Sequence, residues 1–353
     1  MTTLTLPARF ERGASLRPVP WRRMGWVIWR HHRVALAGVV AFLGALTVWL
    51  WITGLSVHHE FSAAVACRPV GSTNCTNLAI IFDSTNTFLK GGFVLQPVPA
   101  LTGAFIGPLV LAREFETGTF RYAWTQAFGR WRWAVAKLVA LGIAVAAIAG
   151  AFSLLLSWYY QPYVAAQNAP NVAGASPLSA GLFDLRGVAF AAWTLVAFAI
   201  GALAGMLIRR IVPAIVATLA AYAALALLTA NVLRQHYMAP LIARNLHIPG
   251  SAWVISEWWT KSGSFVFGSR IPLGILPQLC PSSFSASPGG QGVNSSGSVG
   301  PTQCLLQHGY TEWAKYQPIS HFWPFQWIEG GWLLALSALL VTTTVLLVRR
   351  RAA

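Results

Sequence analysis

The chain has 353 residues, of which 56% are hydrophobic and only 10% charged, with a mean hydropathy of +0.56. That profile excludes an ordinary soluble domain. The formal net charge of +16 would suit a nucleic-acid binder, but the arginines gather at the ends of apolar runs, a placement that excludes that partner class.

In chain order, the first segment to signal its setting is PWRRMGWVIWRHHR. Trp21, Met24 and Ile28 recur at helical spacing, and Arg22, Arg23, Arg30 and Arg33 crowd the flanks. This predicts a basic N-terminal tail and interfacial helix over 1–33, anchored at the headgroups of membrane lipids by tryptophan and arginine, which then turns into the membrane.

Six runs follow that are long enough to cross about 30 Å of hydrocarbon at ~1.5 Å per residue. They cover about 34–54, 89–111, 137–159, 187–208, 211–233 and 327–348. The predicted fold is therefore all-α: a polytopic membrane protein with six transmembrane helices, an inner loop over 112–137, a large outer loop over 234–326 and a short tail over 349–353. With both termini cytoplasmic, seventeen of the 25 lysines and arginines fall inside, as the positive-inside rule requires.

Cysteine placement agrees with that orientation, because disulfides persist in oxidising compartments. Cys67 and Cys75 share the first outer loop; Cys280 and Cys304 share the last. Pairing within each loop is the simplest of about three connectivities for four cysteines.

The second run contains Gln96, Pro97, Pro99, Gly103, Gly107 and Pro108, a composition that breaks or kinks a helix and so suits the border of a cavity. The fifth adds Pro213, Thr218 and Tyr222. Between the second and third lies AREFETGTFRYAWTQAFGRWRWAVAK, the densest charged stretch in the middle of the chain. Thr117 or Thr119 can cap a short amphipathic surface helix there, with Phe120, Ala123, Trp124 and Ala127 on one face and Gly129 ending it.

The last outer loop is mixed. Its centre, PSSFSASPGGQGVNSSGSVGPTQ, is too polar and glycine-rich to order itself. SAWVISEWWTKSG and YTEWAKYQPISHFWPFQWIEGG flank it, and their tryptophans and prolines predict short helices or re-entrant pieces at the outer membrane face. Ions are absent from the middle of every span, which disfavours a proton relay, and Glu329 is placed at a hydrated outer edge of the sixth.

The inner stretch carries a resemblance. Its acidic pair, Gly-Thr, Arg, TQ, GRWRW and span-opening Lys137 resemble the coupling loop of bacterial type-2 ABC exporter permeases. The closing YQPISHFWPFQWIEGGW is similar to the end of the outer loop in one branch of that family. The resemblance implies a transmembrane subunit whose inner loop docks on a separate ABC ATPase, present in two copies and carrying ATP and Mg. A second permease copy or a relative would complete the complex in the bacterial cell membrane. It assigns coupling to Glu114, Glu116, Gly118, Thr119 and Arg121, with Trp124 as an apolar contact on the same loop. By likeness the second and fifth spans line the route, which makes Gln96, Pro97, Pro99, Thr218 and Tyr222 candidate pathway residues.

No Gly-x-x-x-x-Gly-Lys-Ser/Thr loop occurs in the chain, so ATP hydrolysis through that motif belongs to another polypeptide and the chain is not expected to be an enzyme by itself. The expected cargo is a hydrophobic or amphipathic small molecule or a lipid. The alternative is a membrane-embedded enzyme or a ligand-sensing membrane protein that uses the outer loop. For the enzyme, His58, His59 and Glu60 offer a possible metal or base, but no further spacing completes a zinc site, and no metal is expected.

Overall fold

A computed structural model describes residues 21–85, 90–117, 130–169, 172, 174–245, 251–269, 272, 278–279 and 301–351. The fold is mostly helical, and six of the described helical segments are long and apolar enough to cross a membrane: 37–66, 93–110, 132–159, 187–208, 211–236 and 319–350.

α1 runs from Trp21 to Ala66 without a break. The turn expected after Arg33 is absent, because nothing between Arg33 and Ala37 interrupts helix formation: no proline and no glycine. A disulfide joins Cys67 to Cys75 just beyond its end and leads into α2 (Thr73–Ser84), whose first turn is capped by the Ser72 hydroxyl accepting from the Cys75 amide at 3.3 Å.

The second span is short and broken. Its α-helical part, α3 (Pro97–Ile106), lies between 3₁₀ turns at Phe93–Leu95 and Pro108–Val110. Prolines account for both breaks, since Pro97 opens a helix readily and Pro108 lacks the amide that would continue one. After α4 (Ala112–Thr117), α5 (Arg130–Tyr159) returns across the membrane. Thr117 is the last described residue of α4. The amphipathic helix expected over Phe120–Ala127 lies outside the described residues.

α6 (Gly187–Ile208) is the centre of the bundle, packed on α3, α5, α7 (Ile211–Leu228) and the last helix, α9 (Phe322–Arg351). Two small-residue pairs let α3 and α6 touch backbone to backbone, in the manner of membrane helices that associate by close packing. A Cβ on Gly103 would lie 2.3 Å from the Ala197 Cβ, and one on Gly107 would lie 2.5 Å from the Phe198 carbonyl oxygen. From the other side, a Cβ on Gly201 would lie 2.7 Å from Pro108 Cδ and one on Gly205 2.8 Å from the Pro108 carbonyl oxygen. The outward faces of α1, α7 and α9 expose Phe42, Trp51, Val212, Leu227, Leu339 and similar side chains, as lipid-facing helices do.

The outer loop differs from expectation. Where short helices are predicted, four antiparallel strands form a sheet in the order β1-β4-β2-β3: β1 (Leu241–Arg244), β2 (Trp253–Lys261), β3 (Ser264–Gly268) and β4 (Tyr310–Gln317). Ser262 and Gly263, both at positive φ (51° and 83°), make the two-residue turn that joins β2 to β3. The runs around that turn are rich in Trp, Val, Ile, Phe and Thr, residues that fit a half-buried pleated surface. One face of the sheet packs Trp259, Phe267 and Tyr310 on Leu305 of α8 (Pro301–Gln307). Cys304 on that helix is disulfide-bonded; Cys280 lies outside the described residues, as does the Gly/Ser-rich stretch 281–300.

Candidate functional site: a groove, an ion triad and two loop anchors

Between α3 and α7 lies a groove of about 490 Å³. Gln96, Pro97 and Tyr222 line it together with Phe93, Ala100, Asp184, Leu219 and several alanines of α7. Of the other residues expected on this route, Pro99 and Thr218 are buried beside it and do not line it. Thr218 donates its hydroxyl to the Ala214 carbonyl at 2.6 Å, inside its own helix. Gln96 braces the break in the second span, its Nε2 donating to the Ala180 and Gly181 carbonyls at 2.9 and 3.2 Å. Tyr222 meets the Trp193 ring edge-on at 5.3 Å, which fixes the wall of the groove against α6.

At the end of the bundle that carries the sheet, three ions from three elements converge. α7 closes with a π-helical segment at Thr229–Leu233, which leads directly into Arg234. Arg234 Nε donates to Glu329 Oε2 at 3.1 Å and Nη2 to Glu329 Oε1 at 2.8 Å. Nη2 also donates to Asp184 Oδ1. Trp193 Nε1 donates to Glu329 Oε1 at 2.9 Å, and the guanidinium lies 4.4 Å over the Phe183 ring. Arg234 and Glu329 are buried, with 1% and 0% of their side-chain surface exposed, whereas Asp184 keeps 14% and reaches the groove. Burial pushes the carboxyl of Asp184, which lies between the third and fourth spans, up to about 7; Arg234 opposes the shift and Glu329 adds to it.

This corrects the placement of Glu329 at a hydrated edge: it lies dry inside the bundle because a guanidinium and an indole N–H replace its water. Sequence reasoning missed the triad. Its signal is a base directly after one apolar run and an acid just inside the start of another, where buried ions must find partners.

At the opposite end, two side chains fasten the ends of the inner loop. Lys137, 2% exposed, donates Nζ to the Val110 carbonyl at 2.8 Å, filling an acceptor freed where the second span breaks, and sits 4.8 Å from the Trp133 ring. Glu116 Oε1 accepts from the Ile211 amide at 2.8 Å. Ile211 opens α7 after Arg209 turns the chain at a φ of 59°, so the carboxylate fills one of the donors that any helix start leaves without an intrahelical partner. Gly118, Thr119, Arg121 and Trp124 lie outside the described residues, as does the side chain of Glu114.

His58 is engaged in the C-terminal part of α1: Nε2 lies 3.0 Å from the Trp158 carbonyl oxygen and the ring stacks on that indole at 4.6 Å. Among the described residues, no three His, Cys, Asp or Glu side chains gather as metal ligands would.

The structure thus combines a broken second span, a tight fourth-to-fifth turn bonded to Glu116 and a groove between the second and fifth spans. No curated protein and no solved structure matches the chain. The model of the family described as ABC-2 membrane transporter related matches residues 40–234, more than half of the chain. The chain belongs to that family: it is a multi-pass membrane permease component of an ABC transporter, and its partner is an ABC ATPase subunit.

Proposed function

We propose that this permease exports a hydrophobic or amphipathic small molecule or lipid from the cytoplasm or inner leaflet, driven by ATP and Mg on two copies of the separate ATPase. A second permease copy or a relative completes the route, and membrane lipids surround the exposed helix faces. The complex sits in the bacterial cell membrane with both termini and the 112–137 loop cytoplasmic and the sheet outside. The Cys67–Cys75 disulfide supports that orientation, since such a bond persists on the oxidising side.

The observation that supports this reading best is the Glu116–Ile211 hydrogen bond. A loop that rests on a moving ATPase needs a stiff connection to the spans, and Glu116 joins the loop to the first turn of α7, the same helix that walls the groove. Displacing the loop would pull on α7 and change the groove's width. Glu114, Glu116, Gly118, Thr119, Arg121 and Trp124 form the coupling element in this account. Co-purification of the permease with its ATPase, followed by transport into inverted vesicles, tests it: export requires ATP-dependent uptake, and a permease recovered without any ATPase contradicts it.

A further inference from the structure

The groove has one charged lining residue among the described ones, Asp184, set in walls that are apolar and aromatic apart from the Gln96 amide. The ion cluster behind it is unbalanced. Two carboxylates, Asp184 and Glu329, share the single guanidinium of Arg234. Both Glu329 oxygens accept from Arg234, and one also accepts from Trp193, so Glu329 is fully engaged and deep. Asp184 is the more exposed carboxylate and the one at the cavity wall. Phe93 and Tyr222 add aromatic rings to the same wall, and the face of such a ring attracts cations. The cavity therefore offers apolar volume, aromatic rings and half-compensated negative charge together.

We infer that the groove binds an amphipathic cation, whose apolar body lies between α3 and α7 and whose positive charge pairs with Asp184. This rests on the transport reading of the groove and names its substrate class. A cation displaces the proton that burial otherwise favours on Asp184, and the proton leaves to water. The groups facing Asp184 are Arg234 and Tyr222 from the fifth span and Glu329 from the sixth, with Tyr237 beside Arg234 and Glu329. Protonation of Asp184 removes its charge progressively as pH falls through about 7, so binding tightens as pH rises.

The test uses the purified full chain in nanodiscs, with empty nanodiscs subtracted. The probes are radiolabelled tetraphenylphosphonium and, as a competitor of the same shape and opposite charge, tetraphenylborate. Saturable phosphonium binding is expected, stronger at pH 8 than at pH 6, with tetraphenylborate at least about tenfold weaker. Asp184→Asn should weaken phosphonium binding about tenfold and abolish its pH dependence. Ala223→Trp, which fills the groove and leaves all three ionic residues in the chain, should abolish binding, and it decides the matter if Asp184→Asn does not fold. Equal competition by tetraphenylborate, or wild-type binding by Ala223→Trp or by folded Asp184→Asn, overturns the inference. Recovery of the ATPase from the same preparation is scored separately: its failure counts against the transport reading, and its success beside a failed cation test overturns the substrate class alone.

Discussion

Arg234, at the end of the fifth span, and Glu329, in the sixth, are 95 residues apart in sequence and exchange two hydrogen bonds at 3.1 and 2.8 Å with almost no exposed surface. Removing Arg234 strands two carboxylates in a dry setting, at a cost of about 3–5 kcal/mol, whereas removing Glu329 leaves Arg234 paired with Asp184. Arg234→Ala should therefore lower the melting temperature in detergent sharply and Glu329→Ala less, read by fluorescence-detected size exclusion. Arg234→Lys, which keeps the charge but loses the paired geometry, should fall between Arg234→Ala and the wild type. Wild-type melting of both alanine variants would mean that the pair contributes nothing to the fold.

Close packing of the second and fourth spans gives an independent prediction. Gly103→Val places a branched side chain where even a Cβ meets Ala197 at 2.3 Å. Overpacking of that kind costs about 1–3 kcal/mol. Gly38→Ala is the matched control, because nothing lies within 4 Å of its Cβ and alanine is the better helix former. Thermal unfolding should rank Gly103→Val well below the wild type and Gly38→Ala at or above it.

Closing the loop between Cys67 and Cys75, 8 residues apart in sequence, should contribute about 2–3 kcal/mol in the chain-entropy account. Peptide mapping without reductant should recover the two cysteines as one linked species. Free thiols at both positions in protein purified from intact cells would contradict the bond and remove its support for the orientation.

Orientation itself can be read by cysteine labelling in whole cells. A single cysteine at Ser295 should react with an impermeant maleimide, and one at Thr125 only after the membrane is opened. The reverse pattern would place the sheet inside and the inner loop outside.

The spans are legible in the sequence because hydrocarbon thickness fixes a minimum apolar length, and few soluble helices meet it. The breaks around Pro97 and Pro108 are legible too, since proline's missing amide acts locally. The four-stranded sheet is misread because tryptophan serves equally at a membrane interface and in a strand. Trp253, Trp258, Trp259 and Trp313 are such strand tryptophans, and the Ser262-Gly263 turn is the local clue that separates the two. The ion triad is illegible for a different reason. Asp184, Arg234 and Glu329 each sit near a span end, where a charge reads as hydrated, and only the packing of three separate elements brings them together. Glu116 stands out in the sequence as an acid in a basic loop, but its bond to Ile211 depends on the fourth-to-fifth turn lying beside it.

That bond is central to the account, which has the 112–137 loop carry ATPase motion to the fifth span. The most direct measurement is recovery of the ATPase subunit, with its substrate-stimulated hydrolysis, on a Glu114→Ala, Glu116→Ala, Trp124→Ala variant confirmed to be inserted and monodisperse. The account predicts weakened recovery and hydrolysis that no longer responds to substrate, because the variant loses the acidic charge, the apolar anchor and the tie to Ile211 together. A triple variant that recovers its ATPase and transports as well as the wild type would contradict it.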